Sequence, residues 1–126
     1  MFSNSYYEIL FECISHTQGQ ISSGKKANSN GIYSETLCSV LEKALNDKKV
    51  KAVVLRIDSP GGDPVACDTI TRSVQRLQAA GKPVVAQMSS VAASGGMWIA
   101  SQCTRITCSP LTLTGSIGVI AGSVSF

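Results

Sequence analysis

The chain has 126 residues, which suits a single domain. Only 15% of them are charged, against about 25% in an average soluble domain, and between residues 83 and 126 the only charged side chain is Arg105. The net charge of +3 is mild and the basic residues form no stripe, which argues against nucleic-acid binding.

The sequence also argues against membrane-spanning, exported and metal-binding classes. It has no run of about 18 apolar residues of the kind that crosses a membrane, and its first ten residues lack the basic and apolar regions of a signal peptide. The five cysteines form no Cys-x-x-Cys pair and His16 is the only histidine. We therefore predict reduced thiols, with no metal and no cofactor.

The first half of the chain predicts a strand, a loop, a helix and a second strand. Residues 7–14 are apolar enough for a short buried strand, and the polar segment 17–30 follows as a loop. A 3.6-residue apolar period with Ser34 as its cap predicts a helix over 34–47. Residues 50–57 are mostly apolar and rich in β-branched side chains, which is typical of a strand covered on both faces.

The second half continues the alternation. Asp63 as N-cap and Pro64 as first helical residue predict a helix that ends near Ala80. A strand over 83–88, a helix over 94–102 and short strands over 105–108 and 116–120 complete the pattern. This order predicts one α/β domain, residues 1–126, with a mainly parallel sheet and flanking helices.

The turn after the second strand, Asp-Ser-Pro-Gly-Gly at 58–62, has the composition of a binding loop. Paired glycines let backbone N–H groups approach a ligand closely, as in an oxyanion hole. A phosphate cradle is disfavoured because no Gly-Lys-Ser/Thr follows. By itself the turn favours a plain tight turn before a helix over a binding loop.

A serine follows the next predicted strand, in the sequence Val-Ala-Ala-Ser-Gly-Gly-Met-Trp at 91–98. Ser94 stands at the head of a predicted helix, and Gly95 supplies an unhindered N–H directly after it. The alternative is that Ser94 is only a helix cap. The motif is not the Gly-x-Ser-x-Gly elbow, because Ala92 occupies the place of the first glycine.

The spacing of the two turns indicates that they belong to one site. One helix and one strand separate them, so adjacent parallel strands would bring both to the same edge of the sheet. A serine and two backbone donors would then converge, which is the arrangement that acyl transfer needs.

Four linked motifs carry a resemblance to a known family. They are Val-Val-Leu-Arg-Ile-Asp-Ser-Pro-Gly-Gly at 53–62, Gly-Lys-Pro-Val-Val at 81–85, Ala-Ala-Ser-Gly-Gly at 92–96 and Leu-Thr-Gly-Ser-Ile-Gly at 113–118. In order and spacing they resemble the signal peptide peptidase A (protease IV) family of serine–lysine peptidases, which have the ClpP/crotonase fold.

The resemblance, which extends from about residue 17 to residue 121, implies a role for several residues. Ser94 matches the nucleophile, and Gly61 and Gly95 match the oxyanion-hole donors. Gly62, Gly96, Met97 and Trp98 match the lining of the substrate groove, although the family usually has an aromatic pair where this chain has Met97-Trp98.

The resemblance further implies a serine endopeptidase that cleaves signal peptides or other hydrophobic peptides at membranes. The family's members form rings, which implies a homo-oligomer. They occur in the bacterial envelope or the plastid thylakoid, and nothing in this sequence selects a compartment.

The general base is the main departure from the family. Residues 95–126 contain no Lys, His, Asp or Glu, and the lysines before Ser94 do not match the family's base. We therefore expect a partial domain, incomplete at its C-terminus, with little peptidase activity by itself. A serine–histidine pair with His16 is disfavoured.

Two alternatives stay open. A non-catalytic or degenerate assembly subunit would act as a scaffold, or would supply Ser94 to a lysine of another chain. A crotonase-like acyl-CoA enzyme would use the same glycine donors, bind a CoA thioester and not depend on Ser94.

Overall fold

The computed structural model describes residues 11–14, 18–25, 30–119 and 122. His16, the first four residues of the predicted strand 7–14 and Ile120 lie outside these ranges. The elements in chain order are β1 (Phe11–Ile14), β2 (Ile21–Ser22), β3 (Ile32–Tyr33), α1 (Ser34–Asn46), β4 (Ala52–Ser59), α2 (Pro64–Ala79), β5 (Val84–Ala93), α3 (Gly95–Ser101), β6 (Arg105–Thr107) and β7 (Leu113–Gly115).

The main sheet is parallel throughout. Its strands lie in the order β1, β4, β5 and β6, and β7 pairs with the last residues of β5. The predicted α/β class and its parallel sheet are confirmed. Because β4 and β5 are neighbours, their carboxyl ends lie side by side at one edge, as the spacing of the two turns predicted.

The core lies between this sheet and the helices. Val53, Leu55 and Ile57 of β4 are buried, as are Ile70 and Leu77 of α2. The start of α2 follows the prediction, because Asp63 is its N-cap and accepts a hydrogen bond from the Val65 amide at 2.9 Å. None of the helices in the described part of the chain is long and apolar enough to cross a bilayer.

Three local predictions were wrong. Ser34 is the buried first residue of α1, and Tyr33 takes the cap position without a side-chain cap bond. The predicted loop 17–30 contains β2, which pairs with β3 after the loop. The predicted strand 116–120 does not form over 116–119, because Ser116 has a φ of 51°, which ends the extended backbone after β7.

The strand β5 also runs beyond its predicted end at 88. The register of the β4–β5 pairing shifts between Ile57 and Ser59 of β4. Over this stretch, an advance of two residues along β4 corresponds to an advance of four along β5. The Asp58 carboxylate holds this widened stretch by accepting a hydrogen bond from the Val91 amide at 3.1 Å. The extra length carries β5 directly to Ser94.

Candidate active site

The turn after β4 is bound on one side to β2. The Ile21 amide donates to the Gly61 carbonyl and the Asp63 amide donates to the Ile21 carbonyl, both at 2.9 Å. In such a parallel bridge the residue between the two bonds, Gly62, directs its own N–H and C=O to the opposite side. The N–H of Gly62 therefore faces away from β2.

Both glycines of this turn are required by shape. Gly61 has a φ of 110°, and a Cβ on it would lie 2.8 Å from the Ser94 Cβ and from the Gly95 nitrogen. Gly62 has a φ of 156°, and a Cβ there would lie 2.0 Å from the Ile21 carbonyl oxygen. No L side chain fits either place. The sequence motif thus reflects two close backbone approaches.

Ser94 lies at a sharp turn between β5 and α3. Its φ of 50° and ψ of −117° are rare for a residue with a side chain. Its hydroxyl makes no cap bond to α3, so the helix-cap alternative does not account for this serine. Strained backbone of this kind concentrates at functional sites, and it is the conformation of nucleophile-bearing strand-to-helix turns.

The end of β7 holds the backbone of Ser94 in place. The Ser94 amide donates to the Gly115 carbonyl at 2.9 Å. The Thr114 hydroxyl donates to the Ala92 carbonyl at 2.7 Å, which ties the same segment to β5. The following residue, Ser116, also has a positive φ and lines the cavity beside Ser94.

The turns enclose an open cavity of about 710 Å³. It lies between the start of α2, the start of α3 and the segment that follows β7. Its lining residues are Gly62, Pro64, Cys67, Ser94, Gly95, Met97, Trp98, Ser101, Ser116, Ile117, Gly118 and Val119. Cys67 is the only one of them with an ionisable side chain.

The thiol of Cys67 is neutral at physiological pH. Burial raises the pKa of Cys67 to about 11, and the charge of Asp63 adds to this effect. Hydrogen bonds from the Ser23 hydroxyl and the Val65 amide hold the pKa of Asp63 below its ordinary value, so that carboxylate stays charged. Charge therefore lies near the cavity but is absent from its lining.

The lysines described by the structure do not reach Ser94, because none of them lines the cavity. The nearest one along the chain, Lys82, caps the end of α1, where its Nζ donates to the carbonyls of Ala44, Leu45 and Asp47 at 2.7 Å each. It has a structural role. Within the described ranges no group of His, Cys, Asp and Glu side chains is arranged to hold a metal ion.

The structure brings most of the predicted site residues together. Gly62, Gly95, Met97 and Trp98 lie around the same cavity as Ser94. Gly96 does not line it, because it packs against β4, where a Cβ would lie 2.9 Å from the Ser59 carbonyl oxygen.

Gly61 lies beside Ser94, and its N–H donates to the buried Ser59 hydroxyl at 3.1 Å. The first residue of α3, Gly95, has no intrahelical acceptor for its N–H. The Gly62 nitrogen lies 3.4 Å from the position of a Cβ on Gly95.

Several contributors to the site were not among the predicted site residues. Cys67 and Ser116 line the cavity, and Asp58 and Ser59 hold the backbone around it. Cys67 lies on α2 with no motif around it, so only packing reveals its position. Asp58 and Ser59 belong to the recognised turn, and their polar side chains were the signal that a local bonding role existed.

The chain is similar to known proteins in both sequence and structure. The model of peptidase family S49 matches residues 76–126. The chain is 46% identical over 101 residues to Protease 4 of Salmonella typhi, and 45% identical over 107 residues to the chloroplastic serine protease SPPA of Arabidopsis thaliana. These matches cover 80% and 85% of this chain but only 16% and 15% of the relatives.

Solved structures share the fold at low sequence identity. A membrane-bound stomatin-specific protease in complex with a substrate peptide gives a TM-score of 0.59 at 23% identity, over 88% of this chain and 50% of its own. An enoyl-CoA hydratase/isomerase of Acinetobacter baumannii gives 0.57 at 24% identity, over 64% of this chain and 38% of its own. Peptidases and acyl-CoA enzymes thus share this ClpP/crotonase-like architecture.

Proposed function

This chain belongs to peptidase family S49, and from that membership we propose that it carries the nucleophile and the oxyanion hole of a serine endopeptidase. The observation that carries the proposal is Ser94. Its backbone is strained and its hydroxyl makes no cap bond to α3. It begins the Ser94–Gly96 turn, beside the turn of Gly61 and Gly62, and it lines a cavity whose lining carries no charge.

In this mechanism the Ser94 Oγ attacks the carbonyl carbon of a peptide bond. A general base removes the hydroxyl proton and later delivers it to the leaving amine, which leaves an acyl-enzyme that water hydrolyses. We assign the oxyanion donors to the N–H groups of Gly95 and Gly62. This replaces Gly61, whose N–H is bonded to Ser59.

The proposed base is a lysine that the described residues do not supply. The lysines in the described ranges lie away from the cavity, and Lys82 is held by three carbonyls. A lysine from another part of a longer protein or from a neighbouring subunit would complete the site. By itself the chain is then expected to hydrolyse peptides weakly or not at all.

The proposed substrates are hydrophobic peptides, including signal peptides at membranes. The uncharged lining supports this choice, because it offers no partner to a charged side chain. Ile117 and Val119, which line the cavity, and Leu111 and Leu113, which precede them in the chain, are between 66% and 91% exposed, so this segment presents an apolar surface. Such a surface suits a hydrophobic substrate or the neighbouring subunit of a homo-oligomer.

The function is tested by supplying the missing base. The chain is mixed with a full-length family member whose own nucleophilic serine is replaced by alanine, and hydrolysis of a fluorogenic hydrophobic peptide is measured. Activity should appear in the mixture and disappear with Ser94→Ala in this chain. Ser101→Ala is the matched control, because Ser101 also lines the cavity while its hydroxyl donates to the Trp98 carbonyl.

Two outcomes would contradict the proposal. Equal hydrolysis with Ser94→Ala would remove Ser94 from the reaction. Binding of a CoA thioester that is unaffected by Ser94→Ala, without any peptide hydrolysis in the mixture, would favour the acyl-CoA alternative.

A further inference from the structure

One wall of the cavity beside Ser94 is formed by the first turns of α3. Met97, Trp98 and Ser101 all line it. Trp98 is 37% exposed, and Met97 is half-buried and packs against the hydrophobic core. This wall is therefore apolar, open on one side to solvent and supported on the other by the core.

Met97 is anchored loosely within that wall. Its Sδ lies 3.5 Å from the Thr114 Oγ1, whose proton is already donated to the Ala92 carbonyl. The thioether thus makes a contact without a strong directional bond. Methionine has three rotatable side-chain bonds and a polarisable sulfur, so it can adjust to neighbours of different shape.

The cavity lining offers no charge on which to select a ligand. The Cys67 thiol is neutral, and the remaining lining side chains do not ionise. Selection in such a cavity depends on size and shape, where one methylene changes the affinity by about 10–200-fold. The side chain that controls the width of the cavity then controls the preference.

We propose that Met97 is a specificity-determining residue, whose flexible side chain lets the cavity accept either a small or a large apolar residue of a bound peptide. The proposal rests on the proposed function, because it takes the cavity to be a peptide site. A rigid aromatic side chain at this position would narrow the cavity, and alanine would widen it.

The test measures binding without chemistry. Trp98 is the only tryptophan of the chain and lines the cavity, so its fluorescence reports occupancy directly. The probes are two acetylated tripeptide amides that end in alanine or phenylalanine. Wild-type protein should bind both, with dissociation constants within about tenfold of each other, a difference of about 1.4 kcal/mol.

Substitutions at Met97 should shift the preference in opposite directions. Met97→Tyr should weaken the phenylalanine peptide by about tenfold relative to the alanine peptide, and Met97→Ala should shift the ratio the other way. Met88→Leu is the control, because Met88 is a buried methionine of β5 that does not line the cavity. Circular dichroism verifies the fold of each variant. If only one of the two Met97 variants folds, its ratio of dissociation constants for the two peptides still tests the proposal.

The binding results distinguish a failure of the Met97 proposal from a failure of the proposed peptide site. If both peptides bind but neither variant changes their ratio, Met97 does not set the preference, while the peptide site stands. If neither peptide alters Trp98 fluorescence in the wild-type chain, the cavity is not a peptide site and both proposals fall.

Discussion

Replacing Gly95 with alanine tests the packing beneath the proposed oxyanion hole. A Cβ on Gly95 would lie 2.4 Å from the Cys67 Sγ, whereas ordinary non-bonded contacts are about 3.5–4.0 Å. The Cys67 side chain is fully buried and belongs to the hydrophobic core. We therefore expect Gly95→Ala to displace the Cys67 side chain or to push α2 and α3 apart.

The magnitude follows from two opposing terms. Overpacking in a core costs about 1–3 kcal/mol, while alanine in place of glycine in a helix contributes about 0.5–1 kcal/mol of stability. We expect a net loss of about 1–2 kcal/mol in the free energy of unfolding. In urea this lowers the midpoint by about 1 M, measured by Trp98 fluorescence and circular dichroism.

The partner substitution isolates the cause. Cys67→Ala removes the Sγ, so the double variant should recover stability relative to Gly95→Ala, with a coupling energy of about 1–2 kcal/mol. Gly118→Ala is the control, because no atom lies within 4 Å of its Cβ position, and its effect should stay within about 0.5 kcal/mol. Additivity of Gly95→Ala and Cys67→Ala within about 0.5 kcal/mol would refute the steric reasoning.

Three further predictions concern the surroundings of the site. Gly62→Ala should destabilise the fold much more than Gly24→Ala in urea unfolding. Both glycines have a positive φ, but only Gly62 has backbone atoms within 3 Å of its Cβ position. Similar losses of stability in the two variants would mean that backbone strain alone causes the effect. Asp58→Ala should lose about 1 kcal/mol because the Val91 amide loses its acceptor, and Asp58→Asn, which keeps an oxygen, should retain most of that stability in the same assay. Because the pKa of Cys67 rises from 9.0 to about 11 on folding, the unfolded chain releases this proton first, and the free energy of unfolding should fall between pH 9 and 11. In Cys67→Ala that decline should be shallower across a pH series of urea titrations, and an identical slope would contradict the raised pKa.

Much of the fold could be predicted because local signals agreed with one another. The Asp63 cap and the following proline defined the start of α2, and apolar runs defined the parallel strands. Element ends were less predictable, since they depend on partners distant in sequence. β5 continues to Ala93 because Asp58 and β7 supply hydrogen bonds to it, and neither contact is visible in its own residues.

The candidate site divides in the same way. The sequence by itself determined that a glycine turn and a Ser-Gly-Gly turn each follow a strand, with one helix and one strand between them, because order and spacing along the chain are properties of the sequence. Only the tertiary structure shows that Gly62 is bridged to Ile21 and that the Gly61 N–H is bonded to the Ser59 hydroxyl, because both partners come together only when the chain folds.

The charge-poor final third of the chain also shows what the sequence leaves undecided. Composition marked residues 83–126 as buried or covered, and the structure divides the described part of this stretch. The inward-facing residues of β5 and α3 are in the core, whereas Leu111, Ile117 and Val119 are exposed. Absence of charge is a property of the sequence, but burial depends on what packs against each segment, and that is decided only when the chain folds.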